Sequence, residues 1–211
     1  ASPEKTRSVI VSQSKSPETN VPDPAGIEAP EKLKANTVPE DAVTVNPLAA
    51  ASPPEAAETV ANEIGGENVI AVAGDVSKNF DVESMIDRSL IKWGRLDILV
   101  NNAGTTHRNK PMTEVTEKEF DDIFGVNVKS IYLTAKNAVP LMKKQGSGVI
   151  LNVASTAGIR PRPGLTWYNT SKGAVITATK AMAIELAPFK IRVNAINPVA
   201  GETGMLHLFM G

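Results

Sequence analysis

The chain has 211 residues, of which 42% are hydrophobic and 21% charged, with a formal net charge of −1. These values are typical of one globular α/β domain, and the near-neutral charge excludes a basic surface built for nucleic acid. No apolar run approaches the about 20 residues of a membrane span, and no signal peptide is visible. The absence of cysteine excludes disulfides and thiolate sites. We therefore expect a cytoplasmic protein that has no membrane partner.

The first 40 residues differ in composition from the rest of the chain. The first quarter of the sequence contains nine of the prolines but only one glycine, Gly26. Because proline removes a backbone donor and disfavours helix at the preceding residue, residues 14–40 cannot form a long helix. A short strand is expected at 8–12. We therefore predict a proline-rich, irregular segment over 1–40 and a single folded domain over 41–211.

From residue 42 onward, short apolar runs alternate with longer segments of helical periodicity. Such alternation indicates βαβ units and a parallel sheet, and near-continuous apolar strands indicate that helices cover both faces. The predicted fold is therefore an α/β, Rossmann-like, doubly wound parallel sheet, incomplete at both termini. The predicted strands are 42–45, 69–73, 96–100, 148–154 and 191–196, and the predicted helices are 54–64, 82–93, 117–144 (capped by Thr116) and 168–187.

Tyr168 and Lys172 lie four residues apart at the start of a predicted helix, so their side chains share one face. A phenol ordinarily titrates near pH 10, and both a nearby ammonium and a helix N-terminus lower its pKa. This pair is thus a candidate acid/base device, although a packed ring beside a solvated amine is the common alternative. Ser155 follows a buried-looking strand, where open α/β sheets place their sites. Its hydroxyl could donate to a substrate oxygen or could simply cap a turn.

Taken together and in order, these segments resemble the classical short-chain dehydrogenase/reductase family. Residues 152–175 (NVASTAGIRPRPGLTWYNTSKGAV) are similar to the family's active-site segment, in which a Ser lies upstream of Tyr-x-x-x-Lys. The other matching segments are Asn101-Asn102-Ala103-Gly104 after a strand, Asp75-Val76 after the strand before it, Asn127 in the long helix and residues 194–203 after the last strand.

The resemblance implies a role for each matching residue. Tyr168 would exchange a proton with the substrate oxygen during hydride transfer, and Ser155 would polarise the substrate carbonyl. Lys172 would lower the Tyr168 pKa and bind ribose hydroxyls, while Asn127 would hold a water that links Lys172 to solvent. NAD or NADP would contact Tyr168, Lys172 and a further set of residues, namely Asp75, Val76, Asn102, Ala103, Gly104, Pro198, Val199 and Thr203.

The sequence departs from the family pattern at several points. The family's glycine-rich phosphate loop has no counterpart, because Ser12 to Pro17 contain no glycine. The seventh strand and the helix that covers the substrate are also missing from the pattern. Val199 stands where the family has glycine. Asn46 stands at the position that distinguishes NAD from NADP, and an asparagine there does not indicate which of the two would bind.

Other polar and aromatic residues near the motifs give weaker evidence of function. We expect His107 and His207 to be loop residues, and with no carboxylate cluster nearby we predict no metal site. Trp167 could form a wall of the substrate pocket or could simply pack. Arg160 and Arg162 could attract an anionic substrate, but solvated loop charges are expected.

The sequence thus supports two hypotheses. The first is an NAD(P)-dependent oxidoreductase that interconverts a small alcohol and a carbonyl compound and forms a homodimer or homotetramer. The second is a non-catalytic family member or fragment with impaired dinucleotide binding.

Overall fold

The computed structural model describes residues 8–12, 43–45, 61–62, 69–199 and 208–209. Within 8–12 and 43–45 it describes the backbone alone. The helix predicted over 54–64 is described only at Ala61 and Asn62, which are helical. Three positions singled out in the sequence, Asn46, Thr203 and His207, lie outside the described residues.

Within the described residues, six strands form one sheet in the order β3-β1-β2-β4-β5-β6. Neighbouring strands β2, β4, β5 and β6 pair in parallel. The sheet and its flanking helices confirm the α/β, Rossmann-like prediction. The strands are β1 (Ser8–Ser12), β2 (Val43–Val45), β3 (Val69–Ala73), β4 (Ile98–Asn101), β5 (Gly148–Val153) and β6 (Ile191–Ile196).

One strand runs against the others. β1 pairs antiparallel with both β2 and β3, with Ile10 opposite Thr44 on one side and Ala71 on the other. The sequence predicted only parallel strands. Parallel neighbours need a long crossover, usually a helix, and the prolines between β1 and β2 disfavour one. An antiparallel neighbour does not require that crossover.

Four α-helices of the described chain follow the predicted order. The helix predicted over 117–144 is divided by a π-helical segment, Gly125–Lys129. The predicted cap at Thr116 is confirmed as a capping box, because Thr116 Oγ1 accepts from the backbone N–H of Glu119 (3.3 Å) and Glu119 Oε2 accepts from that of Thr116 (2.8 Å). The helices are α1 (Asn79–Trp93), α2 (Glu117–Phe124), α3 (Ser130–Gln145) and α4 (Thr166–Leu186).

The main hydrophobic core joins strands β3 to β6 with helices α1, α3 and α4. Alternate residues of β5 point inward, as expected for a strand. A buried polar ladder crosses the strands near their carboxyl ends, where Asn152 accepts from Asn101 Nδ2 (2.8 Å) and donates to Thr179 Oγ1 (2.8 Å). These bonds satisfy buried amides and fix β4, β5 and α4 relative to one another. Among the described residues, no helix has the length and apolarity needed to cross a bilayer.

Candidate active site

The candidate site lies at the carboxyl ends of β4, β5 and β6. These strands are parallel neighbours, so the residues that follow them meet at one edge of the sheet. Ala154 N–H donates to Ile196 O (2.9 Å), and Thr156 N–H donates to Pro198 O (3.1 Å), joining the segments after β5 and β6. Open α/β sheets place their ligands at this edge.

Ser155 and Tyr168 are brought together, as predicted. Tyr168 lies in the first turn of α4 and Ser155 just after β5, and both are buried. The Ser155 side chain lies near the Tyr168 hydroxyl, where it acts to lower the pKa of that phenol. Ser155 Oγ also accepts from the backbone N–H of Ala157 (3.1 Å) and thereby caps the 3₁₀ turn Thr156–Gly158. The interpretation of Ser155 as a cap is therefore confirmed, and its role as a site residue stays a prediction.

Lys172 lies one helical turn beyond Tyr168 and is only 4% exposed. Its Nζ donates to the carbonyl of Val153 at the end of β5 (2.8 Å) and lies 5.9 Å from the centroid of the Tyr168 ring. Because burial disfavours the ammonium, the pKa of Lys172 is lowered from its ordinary 10.5 to about 8. The protonated form therefore still prevails at neutral pH.

Asn127 lies in the π-helical segment and clamps the turn that follows β4. Its Oδ1 accepts from the backbone N–H of Thr105 (2.8 Å), and its Nδ2 donates to Thr105 O (2.9 Å) and to Ser171 Oγ (2.9 Å). Ser171 Oγ in turn donates to the carbonyl of Tyr168 (2.7 Å). Single π-helical turns frequently occur at functional sites. Here the turn places a buried amide between the loop after β4 and helix α4.

The glycine of the turn after β4 lies against two of these groups. A Cβ added to Gly104 would lie 3.4 Å from Lys172 Nζ and 3.8 Å from Asn127 Oδ1. The Asn101-Asn102-Ala103-Gly104 turn is therefore brought to Lys172 and Asn127, as the motif order indicated. Backbone without a side chain stands beside the lysine, which leaves room for close approach by another molecule.

The expected effect of Lys172 on Tyr168 is not what the structure shows. Burial raises the pKa of Tyr168 above its ordinary 10, and the Ser155 side chain and the charge of Arg162 oppose this only in part. The sequence argument considered the charge of Lys172 but not the cost of burying a phenolate. The phenol is thus protonated at neutral pH, and the predicted lowering was wrong for this arrangement.

The other predicted cofactor contacts are less closely grouped. Val76 packs in the main core and is 1% exposed, whereas Val199 is 73% exposed. Asp75 Oδ1 accepts from the backbone N–H of Ser77 (3.0 Å) and from its hydroxyl (2.7 Å), which forms a turn after β3. The carbonyl oxygen of Pro198 accepts a hydrogen bond from the backbone N–H of Thr156.

The structure also places the histidine, tryptophan and arginines that lie near the motifs. His107 was expected to be a surface loop residue, but it is buried, at 4% exposure. Trp167 packs edge-to-face on Phe120 (5.3 Å between centroids), and its Nε1 donates to Met112 O (3.2 Å), so its contacts are those of packing. Arg160 and Arg162 are both exposed, as expected.

Sequence reasoning missed three contributors to the site. Thr105 and Ser171 supply the partners of Asn127, and Phe209 lies edge-to-face on Tyr168 (5.2 Å between centroids). Ser171 was discoverable from its position within the Tyr-x-x-Ser-Lys run of α4. No local pattern marks Phe209, because its contact depends on how a distant segment folds back.

Comparison with known proteins identifies the relatives of this arrangement. The family model described as short chain dehydrogenase matches residues 41–209. A 4-formylbenzenesulfonate dehydrogenase of Comamonas testosteroni is 53% identical over 142 residues, which are 67% of this chain and 56% of that protein. The chain thus spans little more than half the length of this relative.

Two solved structures share the fold. A 3-ketoacyl-(acyl-carrier-protein) reductase of Brucella melitensis, complexed with NADH, is 52% identical with a TM-score of 0.72, over 74% of this chain and 66% of that one. The protein ElxO with NADP bound is 34% identical with a TM-score of 0.60, over 63% of this chain and 54% of that one. The matched family model, the sheet and the segments after β4, β5 and β6 agree, and the chain belongs to the short-chain dehydrogenase family.

Proposed function

We propose that the protein is an NAD(P)-dependent oxidoreductase that interconverts an alcohol and a carbonyl compound. The observation that carries this proposal is that Ser155, Tyr168 and Lys172 are all buried at one edge of the sheet, with Ser155 near the Tyr168 hydroxyl and Lys172 one helical turn away. Two hydroxyls beside a buried ammonium can bind and protonate a single oxygen atom. The 4-formylbenzenesulfonate dehydrogenase and the 3-ketoacyl-(acyl-carrier-protein) reductase described above support the same class of reaction.

The residues at the nicotinamide end of the site fit a dinucleotide. The Brucella melitensis reductase is a complex with NADH and ElxO was solved with NADP, so either cofactor is proposed. A protonated Lys172 has three N–H donors, of which one is bonded to Val153 O within the described residues. The others could bind ribose hydroxyls beside Gly104. Asn197 Oδ1, just after β6, is buried without a partner in the described chain and could accept from a carboxamide.

The phosphate end is not supplied by the described residues. In this fold family a glycine-rich loop opens a helix whose N-terminus faces the pyrophosphate. Residues 13–42, between β1 and β2, contain a single glycine, Gly26. The proposed binding therefore rests on the nicotinamide end of the site alone.

The bound nicotinamide would supply a hydride to the carbonyl carbon, or accept one from the alcohol. Tyr168 completes reduction by donating its phenolic proton to the substrate oxygen, and Ser155 donates a hydrogen bond to that oxygen. Because burial raises the Tyr168 pKa, the phenol holds its proton at neutral pH. The form of Tyr168 that carbonyl reduction needs is therefore present at neutral pH, and alcohol oxidation, which needs the phenolate, should become faster as the pH rises.

Lys172 and Asn127 support this proton transfer. The Lys172 ammonium, 5.9 Å from the centroid of the Tyr168 ring, would offset only part of the cost that burial imposes on the phenolate. The bonds of Asn127 to Thr105 and Ser171 support a positioning role, in which it holds the loop after β4 against α4. The water relay through Asn127 stays a prediction.

The test compares the two tyrosines of the chain. Tyr168→Phe should lower kcat with an NADH- or NADPH-dependent carbonyl panel by about a thousandfold, because general-acid groups typically contribute 10²- to 10⁴-fold. The Kd of the cofactor, measured by its fluorescence, should change little. Tyr132 is 60% exposed on α3, so Tyr132→Phe is the matched control and should retain wild-type kcat.

Equal turnover in Tyr168→Phe and wild type would reject the assigned mechanism. Lack of saturable NADH and NADPH binding at millimolar concentrations would reject the enzyme and favour the second candidate, a non-catalytic family member. The specific observation behind that candidate is the missing glycine-rich sequence before β2.

The division of the chain and its assembly are further proposals. The family model begins at residue 41, which supports a separate segment over 1–40 and a family domain from 41 onward. A homodimer or homotetramer through α3 and α4 is proposed from family resemblance. Light scattering on eluting protein would test it, and a monomeric mass at micromolar concentration would contradict it.

A further inference from the structure

A buried histidine near the site has a ring nitrogen that no described residue satisfies. His107, in the loop after β4, is 4% exposed, and its Nε2 has no hydrogen-bond partner. Burying a polar atom without a partner costs free energy, so each such atom in a native protein calls for an explanation. The catalytic mechanism proposed above does not use this group.

The other ring nitrogen determines the chemistry of Nε2. His107 Nδ1 lies 2.8 Å from the carbonyl oxygen of Arg108. A carbonyl can only accept, so Nδ1 must carry the proton and donate. In a neutral imidazole the second nitrogen is then unprotonated. Nε2 therefore offers a lone pair, and the partner that it lacks is a donor.

On its N-terminal side, the loop is bonded to the catalytic groups. Thr105, two residues before His107, exchanges two backbone hydrogen bonds with the Asn127 side chain. Gly104, one residue earlier, stands beside Lys172 Nζ. Because two residues of extended chain span at most about 7 Å, the backbone of His107 is close to the site.

On its C-terminal side, the same loop is bonded to the segment that covers Tyr168. The Asn109 N–H donates to Leu208 O (2.9 Å), and the next residue, Phe209, lies against the Tyr168 ring. Lys110 N–H donates to Gly164 O (3.1 Å), in the loop that leads into α4. The loop that carries His107 is thus held at one end beside Lys172 and Asn127 and at the other against the segment that packs on the Tyr168 ring.

We propose that His107 Nε2 accepts a hydrogen bond from the substrate and selects substrates with a second hydroxyl or N–H group near the reacting carbon. This inference rests on the proposed function and names its substrate class, which is hydroxy-ketones and vicinal diols rather than simple ketones and alcohols. A site built to bond a substrate hydroxyl discriminates against analogues that lack it, because the buried acceptor is then left unpaired.

The experiment measures kcat/KM for trans-1,2-cyclohexanediol and cyclohexanol with NAD⁺ and NADP⁺. We expect wild type to prefer the diol by about tenfold, the effect of roughly one hydrogen bond. His107→Asn keeps an amide N–H near Arg108 O, but its Oδ1 falls one bond short of the Nε2 position, so it should abolish the preference, measured as the ratio of the two kcat/KM values. His107→Gln places an amide oxygen near the Nε2 position and should restore part of the preference.

An equal diol-to-alcohol ratio in wild type and His107→Asn would overturn the proposal. If no alcohol is turned over at all, the proposed function fails separately, and calorimetric binding of the same two probes then tests His107 alone. Tighter binding of the diol to wild type than to His107→Asn would sustain the inference. Equal binding, or no binding of either probe, would overturn it.

Discussion

The two sides of the sheet differ in how much of the family pattern they retain. On one side, β4, β5 and β6 run in parallel, and the segments after them hold Asn127, Ser155, Tyr168 and Lys172 together. On the other, β1 enters antiparallel between β2 and β3, and the sequence between β1 and β2 has one glycine. The first side, called the catalytic side after the proposed function, carries the motif set, and the second, the N-terminal side, departs from it.

The difference shows that the bonds that hold the proposed site residues lie within one part of the chain. Asn127 bonds Thr105 and Ser171, and Lys172 bonds Val153, all within the catalytic side. None of these described bonds involves β1, β2 or β3. The proposed acid/base residues and the strands of the N-terminal side thus belong to separate stretches of sequence, so a change in one need not disorganise the other.

The largest effect is expected from a proline in β1, which tests whether the two sides of the sheet are independent. Ile10→Pro should destabilise the sheet by about 3 kcal/mol or more, because β1 pairs on both sides and proline removes a backbone donor. Hydrogen exchange should show lost protection in β2 and β3, with protection retained in β5 and β6.

Ile10→Val, which keeps the backbone donor and a β-branched side chain, is the control and should preserve protection throughout. Loss of protection in β5 and β6 of the proline variant would mean that the two sides form one cooperative unit. The comparison would then fail.

A second test disturbs the catalytic side at a close contact between two backbone segments. A Cβ on Gly158 would lie 2.7 Å from the Lys172 carbonyl carbon and 2.8 Å from the Gly173 nitrogen, both backbone atoms of α4. Gly158→Ala should therefore cost about 2 kcal/mol of unfolding free energy and shift Lys172, since overpacking against backbone forces a displacement. Urea denaturation measures the loss.

Gly125→Ala is its matched control, because a Cβ there meets only Ser77 Cβ, at 3.5 Å, and the backbone is already right-handed helical. That variant should be neutral or stabilised by up to about 1 kcal/mol. Equal stability of Gly158→Ala and Gly125→Ala would contradict the close approach of the 3₁₀ turn to α4.

The smallest expected effect concerns the buried lysine. Because burial lowers the Lys172 pKa to about 8, keeping it protonated in the folded state costs free energy at neutral pH. That cost is full below pH 8 and disappears as the pH rises through the unfolded pKa of 10.5. Lys172→Met should therefore raise the unfolding free energy at pH 7 by about 2 kcal/mol, a value that already allows for the lost hydrogen bond to Val153 O.

Unfolding at pH 7 and pH 10.5 measures this effect, and the advantage of Lys172→Met should shrink at the higher pH. Lys180, exposed on the same helix, gives the control Lys180→Met, which should show no such pH dependence. A stability gain independent of pH would mean that packing, and not the buried charge, is responsible.

Much of the fold was predictable because strand and helix periods are local. Strands 69–73 and 191–196 were predicted with the bounds that the structure shows, and the Thr116 cap followed from its neighbour three residues on. The interruption at Gly125–Lys129 was not, because a π-helical turn depends on the groups that Asn127 must reach. The direction of β1 likewise depends on which strands accept it.

The sequence by itself determined which chemical groups are available and in what order, since a Ser, a Tyr-x-x-x-Lys and an Asn on a long helix are readable from spacing. The pKa values of these groups, in contrast, depend on how the folded chain buries them. Burial outweighs the neighbouring charges, raising the pKa of Tyr168 and lowering that of Lys172. Packing also buries His107, which was expected at the surface, and leaves its Nε2 without a partner among the described residues. The physical reason is that desolvation depends on the whole packed surroundings, which residues distant in sequence provide.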